Sequence, residues 1–436
     1  MRFTKLFAAV LCSLAALAAS GQNLRDEIAA NPGKSGGVYY VYTYDNPVLT
    51  PAPKGYKPFY ISHYGRHGSR WLLHDSEYDE VMAVFRAADA ANAFTERGRE
   101  VYGRVKRVYD DGIDRGGDLS PLGAEQHREI AARMYRNFPE VFRSGAVVDA
   151  QATLVVRCVL SMAAFCERLK ELNPRLEVSR TAGRRTTRYL NFYSKPTNPT
   201  LSREYLDFID KGGWQEEYER IGDRFVRPGR LMSELFADGE FVRTIDAQKL
   251  MKGLFYFAAD MQNVGLGISF YDLFTTDELY GLNVYDNYKY YVIRGPSPLN
   301  RRFPQYYAKA LLEDFLTRAD RAVEGGAVSA DLRFGHDGNL MTFVSLLQFE
   351  GCDVVESDPE KIAQMWPLYR ISPMAANIQL VFYRKKASDD VLVKFLYNER
   401  EVRIPVASDL APYYRWNDVR DFYRNVMENL PDPAGK

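Results

Sequence analysis

The fold is decided by the stretch FYISHYGRHGSR, residues 59–70. Its first four residues are apolar or aromatic apart from a closing serine, which predicts a buried strand. Gly65 and Gly68 interrupt the pattern that follows and predict a turn where the strand ends. The turn carries two arginines and a histidine within five residues, and Gly68 would let the backbone approach a ligand closely. This strand end is the first candidate site.

Strand and helix signals alternate along the rest of the chain. Ser120 followed by Pro121 is typical of a helix start, with serine as the N-cap and proline in the first turn. Further strands are predicted at 152–156, 331–334, 378–383 and 391–397, and further helices at 161–172 and 340–347. This alternation predicts an α/β fold, with a three-layer α/β/α core around a mostly parallel mixed sheet.

The length of 436 residues favours two domains, or one core with a large insertion, over a single compact core. Between about 183 and 325 strand signals become rare, and amphipathic helical patterns dominate at 247–261 and 305–319. Prolines and paired glycines mark the boundaries of this region. The sequence therefore predicts an α/β core formed by 22–182 and 326–436, with a mainly helical cap inserted at 183–325.

Residues 1–21 have the pattern of a secretory signal peptide: two positive charges, an apolar run and then small residues. The apolar run is too short to span a bilayer, and no later segment is long enough. We therefore expect an exported protein, periplasmic or secreted, without a membrane span. The 57 basic and 57 acidic residues balance, so the charge does not indicate a nucleic-acid partner. Removal of 1–21 leaves three cysteines, which allow at most one disulfide.

The residues that carry chemistry follow three of the predicted strands. In chain order they are Arg66, His67, Arg70, Arg157, His336 and Asp337. Because the carboxyl ends of strands line the ligand crevice of open α/β sheets, we expect these residues to converge there. Two guanidinium groups about 5 Å apart repel each other by roughly 3 kcal/mol at an effective dielectric of 20. Three arginines in one crevice therefore require a strongly anionic partner, and a phosphate dianion matches the planar guanidinium fork.

His67 and Asp337 suit the cleavage of a phosphate ester. A neutral imidazole is a good nucleophile near its ordinary pKa of about 6.5, and nearby arginines keep it unprotonated at lower pH. An alkoxide is a poor leaving group, so an acid is needed on the opposite side, and Asp337 is the available carboxylic acid. Two plainer interpretations stay open: Arg157 as a surface ion-pair partner, and His336-Asp337 as a structural hydrogen bond.

The turn at 66–70 resembles the signature of the histidine acid phosphatases, the branch of the histidine phosphatase superfamily that includes phytases and multiple inositol polyphosphate phosphatases. His336-Asp337 is similar to the second motif of that family. Other similar segments follow in the order of the family, at 119–123 with Gln126-His127, at Arg157 with Ser161 and Phe165, and at 373–377. The resemblance spans most of the mature chain.

This resemblance implies that His67 attacks phosphorus to form a phosphohistidine and that Asp337 protonates the leaving oxygen. It also implies that the phosphoryl oxygens are held by Arg66, Arg70, Arg157 and His336. Neither a metal nor an organic cofactor is expected. Two positions depart from the pattern of the family: Leu72 stands where the family has proline, and Gly338 completes a His-Asp-Gly where the inositol polyphosphate phosphatases typically have His-Ala-Glu.

The sequence thus predicts a phosphomonoesterase acting on a small-molecule phosphate ester, with inositol phosphates such as phytate first and sugar phosphates next. The competing interpretations are a catalytically silent phosphoester-binding protein on the same fold, and a phosphotransferase or mutase. His63 and His67 have the i,i+4 spacing that binds zinc on a helix, but they flank a strand end beside arginines, so a metal is less favoured than phosphate.

Two further patterns have plain interpretations. The basic run of Arg184, Arg185 and Arg188 is interpreted first as a solvated face, and second as a rim that accepts further phosphates of a substrate. His127 falls in a predicted helix, where we expect one side of the ring to be in solvent.

Overall fold

The computed structural model describes residues 23–198, 201–386 and 388–433. The predicted signal peptide, residues 1–21, lies outside this part of the chain. No helix within the described ranges is long and apolar enough to cross a membrane. The cysteines at 158, 166 and 352 are buried and free, so the fold rests on its apolar core.

Eight strands of the described chain form one mixed sheet. They are β1 Tyr56–Arg66, β2 Val147–Ala152, β3 Glu177–Ala182, β4 Val328–Gly335, β5 Asn377–Lys385, β6 Val391–Tyr397, β7 Arg400–Glu401 and β8 Tyr413–Arg415. The order is β3-β2-β4-β1-β5-β6-β7, and β8 pairs with β6. The first four strands in this order run parallel, and the others continue the sheet antiparallel. The predicted α/β class, with parallel strands in a mixed sheet, is confirmed.

Helices connect the strands and form the rest of the molecule. They are α1 Leu24–Ala30, α2 Asp75–Ala90, α3 Glu96–Gly112, α4 Pro121–Asn137, α5 Val156–Leu172, α6 Arg184–Leu190, α7 Arg203–Lys211, α8 Trp214–Phe225, α9 Gly229–Leu235, α10 Gly239–Arg243, α11 Ala247–Val264, α12 Thr276–Arg294, α13 Phe303–Val323, α14 Asp337–Leu346, α15 Pro359–Met365, α16 Leu368–Ile371 and α17 Trp416–Glu428. The predicted start of α4 is confirmed, because the Ser120 hydroxyl accepts the Gly123 N–H at 3.2 Å and Pro121 occupies the first position.

The predicted strand at 152–156 is wrong. Its place is taken by β2, which ends at 152 and pairs with β3 on one side and β4 on the other. The N–H of Thr153 makes the last hydrogen bond to β4, and the N–H of Leu154 donates to a threonine hydroxyl of α6, which turns the chain. Helix α5 then begins at Val156. Arg157 therefore lies in the first turn of a helix and not directly behind a strand.

Helices cover both faces of the sheet. On one face α4 and α5 bury side chains such as Met134 and Phe165 against Leu332 of the central strands. On the other face α13, α14 and α17 pack on the sheet, with the rings of Phe315 and Phe343 5.1 Å apart. Full burial of one such side chain stabilises the fold by about 1.5–3 kcal/mol. The sheet is thus held rigidly between two helical layers.

The described elements between β3 and β4 are all helical. Helices α2 and α3, which precede β2, pack on α11 and α9 of this region, whereas α13 packs on β1 and β4. The contact between α3 and α9 is so close that a Cβ on Gly98 would lie 1.9 Å from the Leu235 carbonyl oxygen. The division into a core of 22–182 and 326–436 and a cap of 183–325 stays a prediction.

Candidate active site

The carboxyl ends of β1, β2 and β4 lie side by side. Arg66 at the end of β1 is paired with Gly335 of β4. Ala152 at the end of β2 is paired with Phe334 of the same strand. Beyond these ends the N–H of His67 donates to the Gly335 carbonyl at 3.0 Å. The sheet therefore brings the turns after all three strands to one edge, as the parallel arrangement requires.

The turn after β1 is packed against the start of α4. A Cβ on Gly68 would lie 2.2 Å from the Gly123 carbonyl oxygen, and a Cβ on Gly123 would lie 2.1 Å from the Ser69 carbonyl oxygen. Distances this short exclude a side chain at either position. From the sequence we expected Gly68 to let the backbone approach a ligand. In the structure the glycine is required instead by the close contact between this turn and α4.

The ring of His67 is 2% exposed and is oriented by one hydrogen bond. Its Nδ1 lies 2.9 Å from the Gly68 carbonyl oxygen. A carbonyl only accepts, so Nδ1 carries the proton and Nε2 keeps its lone pair. Burial holds the pKa of His67 well below 6.5, and guanidinium groups lower it further; these belong to Arg157, Arg66 and Arg70. The imidazole is therefore neutral, as nucleophilic attack requires.

Arg66 and Asp337 form an ion pair within the site. Nη2 of Arg66 lies 3.2 Å from Oδ2 of Asp337. Nη1 of the same guanidinium donates to the carbonyls of Val38 and Ser372, at 2.6 and 2.7 Å. Burial lowers the pKa of Arg66 to about 10, so the guanidinium keeps its charge at neutral pH. Asp337 is the first residue of α14, and its Oδ1 also accepts the Gly338 N–H at 2.6 Å.

The protonation state of Asp337 depends on these neighbours. Burial raises the pKa of Asp337, but the charges of Arg66 and Arg70 outweigh burial and lower it below its ordinary value. A carboxylate has no proton to give, so a role as general acid requires a group that offsets the arginines. A phosphate dianion bound between the guanidinium groups does so, because its two negative charges face the same arginines.

Arg70 is buried and stacked on an aromatic ring. Its guanidinium carbon lies 5.0 Å from the Tyr39 ring centroid, and Nη1 donates to the Trp71 carbonyl at 2.6 Å. Its Nε is buried without a hydrogen-bond partner in the described chain. Burial lowers the pKa of Arg70, but Tyr39 and Asp260 raise it by more. The guanidinium of Arg70 is thus held in place as a positive charge, and its Nε–H has no hydrogen-bond partner among the described residues.

Arg157 occupies the first turn of α5, where the helix macrodipole disfavours a cation. Its Nη1 makes one long hydrogen bond, 3.4 Å, to the Gly117 carbonyl. Its Nε has no partner, and no ion pair joins it to a carboxylate of the described residues. Burial lowers the pKa of Arg157, and Arg70 lowers it further. The interpretation as a surface ion-pair partner therefore finds no support in the geometry.

His336 faces His67 across the site. The two ring centroids are 6.0 Å apart. Nε2 of His336 lies 3.1 Å from the Thr153 hydroxyl, and the Cys158 sulfur is 3.8 Å from both ring nitrogens. Burial, together with the charge of Arg157, lowers the pKa of His336 to about 4. At neutral pH it is an uncharged hydrogen-bonding group and not a further cation.

These residues define an anion site. Three guanidinium charges stand against the one carboxylate of Asp337, which leaves a formal excess of two positive charges. Helices α5 and α14 both begin here and add the partial positive charge of their N-termini. The Nδ2 of Asn339, in the first turn of α14, is buried and unpartnered in the described chain. The site thus matches a phosphate dianion in charge and in donors, with the neutral imidazole of His67 beside it.

Polar side chains to which the sequence analysis gave no role hold the turn in place. Oγ of Ser161 accepts the Gly68 N–H at 3.1 Å. Oε1 of Gln126 accepts the Ser69 N–H at 2.8 Å, and the Ser69 hydroxyl donates to Oδ1 of Asn263 at 2.7 Å. Ser161 carried a usable signal, because it lies in a segment that resembles the family. Asn263 lies far along the chain and carried none.

His63 of β1 and His127 of α4 are buried in the core. Their ring centroids lie 5.4 to 6.4 Å from those of Phe165 and Phe334. The expected solvent exposure of His127 is wrong: its ring is 1% exposed because aromatic side chains of α5 and β4 enclose it. His63 is thus surrounded by core rings, whereas His67 lies at the site. Within the described ranges no three His, Cys, Asp or Glu side chains are grouped to hold a metal ion.

The basic run on α6 is exposed at all three of its arginines, Arg184, Arg185 and Arg188. This agrees with the interpretation as a solvated face. A role as a rim for further phosphates stays a prediction.

A comparison with protein-family models identifies the enzyme class of the chain. The family model of the histidine phosphatase superfamily, branch 2, matches residues 66–398. The chain therefore belongs to this family and is a histidine acid phosphatase, a phosphoric monoester hydrolase. A search of curated protein sequences finds no match.

Solved structures of similar fold include inositol phosphate phosphatases. The multiple inositol polyphosphate phosphatase of Bifidobacterium longum, in complex with inositol hexasulfate, is 19% identical with a TM-score of 0.77, over 89% of this chain and 97% of that one. The phytase of D. castellii is 14% identical with a TM-score of 0.63, over 91% and 85%. The Hafnia alvei phytase in complex with myo-inositol hexakis sulphate is 12% identical with a TM-score of 0.54, over 88% and 100%. At these identities the similarity shows the fold.

Proposed function

We propose that this phosphatase is exported and hydrolyses inositol phosphates, with phytate foremost and sugar phosphates next. The reaction runs through a phosphohistidine on His67, with Asp337 as the proton donor. The observation that carries this proposal is a buried, neutral imidazole, oriented by its Nδ1–H bond to the Gly68 carbonyl at 2.9 Å and set among three guanidinium groups.

The proposed reaction has two steps. Nε2 of His67 attacks phosphorus, the bond from phosphorus to the ester oxygen breaks, and Asp337 gives its proton to the departing oxygen. The alcohol leaves and the phosphoryl group stays on nitrogen. In the second step Asp337, now a carboxylate, takes a proton from water as the water oxygen attacks phosphorus. The phosphorus–nitrogen bond breaks, phosphate is released and Asp337 is protonated again. The arginines stabilise the charge on the phosphoryl oxygens in both steps.

Three observations support this choice over the alternatives. A silent phosphoester-binding protein would lack the nucleophile or the acid, and both His67 and Asp337 are present. The similar structures from Bifidobacterium longum and Hafnia alvei are described as inositol polyphosphate phosphatase and phytase. The signal-peptide pattern of 1–21 and the helical region favour an exported hydrolase over a cytosolic mutase.

The test is phosphate release by the purified mature chain at mildly acidic pH, in the presence of excess EDTA. Phytate, glucose 1-phosphate and an aryl phosphate are offered to the wild type, to His67→Ala and to the matched control His74→Ala, whose ring is exposed. We expect release by the wild type and the control, and none by His67→Ala. Release by His67→Ala would overturn the nucleophile assignment, and loss with EDTA that zinc restores would revive a metal mechanism. Fractionation and N-terminal sequencing, with a start near residue 21, test export.

A further inference from the structure

Residues 113–118, in the connection between α3 and α4, form a loop that lies beside the turn after β1. The N–H of Gly117 donates to the Leu72 carbonyl at 2.7 Å, and the N–H of Trp71 donates to the Asp118 carbonyl at 3.2 Å. The loop and the turn thus run antiparallel and are joined through their backbones. A change in the position of the loop therefore also affects the turn that carries the site.

The same loop reaches Arg157 on the other side. The carbonyl of Gly117 accepts the only hydrogen bond that the Arg157 side chain donates within the described ranges, from Nη1 at 3.4 Å. The start of α5 disfavours a cation, and the charge of Arg70 lowers the pKa of Arg157 because the two guanidinium groups repel each other. The carbonyl dipole of Gly117 offsets part of this repulsion. Because Arg70 donates to the Trp71 carbonyl at 2.6 Å, the backbone of the loop and turn links both arginines.

Gly117 has a conformation and a surrounding that suit glycine alone. Its φ is +78°, in the left-handed region that side chains disfavour. A Cβ at this position would lie 3.1 Å from Nη1 of Arg157 and 3.3 Å from the Leu73 carbonyl oxygen. Both distances are tighter than ordinary van der Waals contact, and the end of an arginine side chain moves more readily than a backbone. A side chain at 117 would therefore displace the guanidinium of Arg157.

We propose that Gly117 is a positioning residue for Arg157. Its carbonyl directs Nη1, and its missing side chain leaves the space that the guanidinium occupies. The loop thereby sets the separation of Arg157 from Arg70 before a phosphoryl group arrives. An arginine placed in advance loses less conformational freedom on binding, so the affinity for phosphate depends on this loop. The inference rests on the proposed function, in which Arg157 holds phosphoryl oxygens.

The test measures the affinity for inorganic phosphate in the purified mature chain. The dissociation constant is taken from the rise of the thermal unfolding temperature with phosphate concentration, at constant ionic strength, a readout that also registers weak binding. Gly117→Ala should weaken phosphate binding roughly tenfold, as expected for the loss of a hydrogen bond to a charged group. The matched control is Gly145→Ala, because Gly145 has φ +77° and no atom within 4 Å of its Cβ position. The control should show the same backbone strain and keep the wild-type affinity.

A double-mutant cycle separates positioning from a general loss of structure. If Gly117 acts through Arg157, Gly117→Ala should change the phosphate affinity less than about twofold once Arg157→Gln is present. An equal factor in both backgrounds would overturn the inference, as would a wild-type affinity in Gly117→Ala. Should Gly117→Ala not fold, Gly117→Asn takes its place, since asparagine tolerates a left-handed φ and brings the same Cβ.

The outcomes distinguish this inference from the function on which it rests. The proposed function fails if the wild type neither binds inorganic phosphate nor hydrolyses an aryl phosphate. If the wild type does both and Arg157→Gln keeps the wild-type affinity, the role of Arg157 fails and the inference fails with it. If Arg157→Gln weakens phosphate binding and Gly117→Ala does not, only the inference is overturned.

Discussion

Replacement of His127 by leucine should make the folded protein more resistant to acid. The His127 ring is 1% exposed, and neither ring nitrogen has a hydrogen-bond partner in the described chain. Burial lowers the pKa of His127 to about 4, whereas in the unfolded chain it takes its ordinary value of 6.5. Between pH 6.5 and pH 4 the unfolded state binds a proton that the folded state does not. The contribution of neutral His127 to the free energy of unfolding is therefore complete above pH 6.5 and is lost as the pH falls towards 4.

The size of this effect follows from the two pKa values. Their separation corresponds to about 3.4 kcal/mol once the pH is well below 4, and to about 2 kcal/mol at pH 5. The pKa of His336 is also lowered to about 4 by burial, so this residue causes a similar loss of stability at low pH. His63 contributes a further loss in the same direction, because burial lowers its pKa well below 6.5. Because a typical domain is stable by about 5–15 kcal/mol, these buried histidines set the acid limit of the protein without ligand.

The assay is urea unfolding followed by tryptophan fluorescence at pH 7 and pH 5, in buffer without phosphate. His127→Leu should lose about 2 kcal/mol less than the wild type between the two pH values, and the exposed control His74→Gln should lose as much as the wild type. The chain has only five histidines, so the NMR signal of the His127 ring can be identified by its absence in His127→Leu. In the wild type this signal should change its chemical shift with a midpoint near pH 4. Equal losses in His127→Leu and the wild type would refute the reasoning.

Two further predictions follow from the site. Asp337→Asn should slow inositol phosphate hydrolysis by about 10²–10⁴-fold and an aryl phosphate, whose phenolate leaves without a proton, far less; steady-state kinetics that show equal losses would contradict the role of proton donor. Gly68→Ala should lower the free energy of unfolding by about 1–3 kcal/mol or more and reduce activity, because the new Cβ meets the α4 backbone at 2.2 Å. Its control in thermal unfolding is Gly103→Ala, where no atom lies within 4 Å and helix propensity should stabilise α3 by about 0.5–1 kcal/mol; similar behaviour of the two variants would contradict the packing argument.

The sequence predicted those features of the fold that leave a pattern within a few residues. The buried strand before Arg66, the cap at Ser120 and the strand before His336-Asp337 are features of this kind. The convergence of the site followed from a topological rule, because parallel strands end at the same edge of the sheet. The β-branched run at 152–156 suits both a strand and a helix start. The pairing of β2 with β3 and β4 ends the strand at 152, and this pairing depends on tertiary structure that the local sequence does not show.

The residues that complete the site come from distant parts of the chain. Tyr39 precedes β1 by 17 residues, and Asn263 lies on a helix of the region between β3 and β4. Neither is marked by periodicity or by a motif, because their contacts depend on how helices pack across the sheet edge. The burial of His127 depends in the same way on Phe334 of a strand two hundred residues further on.

In the proposed reaction, the arginines of the site impose an order on the steps. With protein groups alone, Arg66 and Arg70 keep Asp337 ionised, so the acid cannot act before the substrate binds. A phosphate dianion offsets these charges and thereby raises the proton affinity of the carboxyl group that must protonate the leaving oxygen. In the proposed second step Asp337 is a carboxylate again, 3.2 Å from Arg66, and can take a proton from the attacking water. Phosphate binding and protonation of Asp337 are thus coupled, because the charge of the phosphate offsets the arginines. A neutral ligand in the same crevice does not offset them and leaves Asp337 ionised.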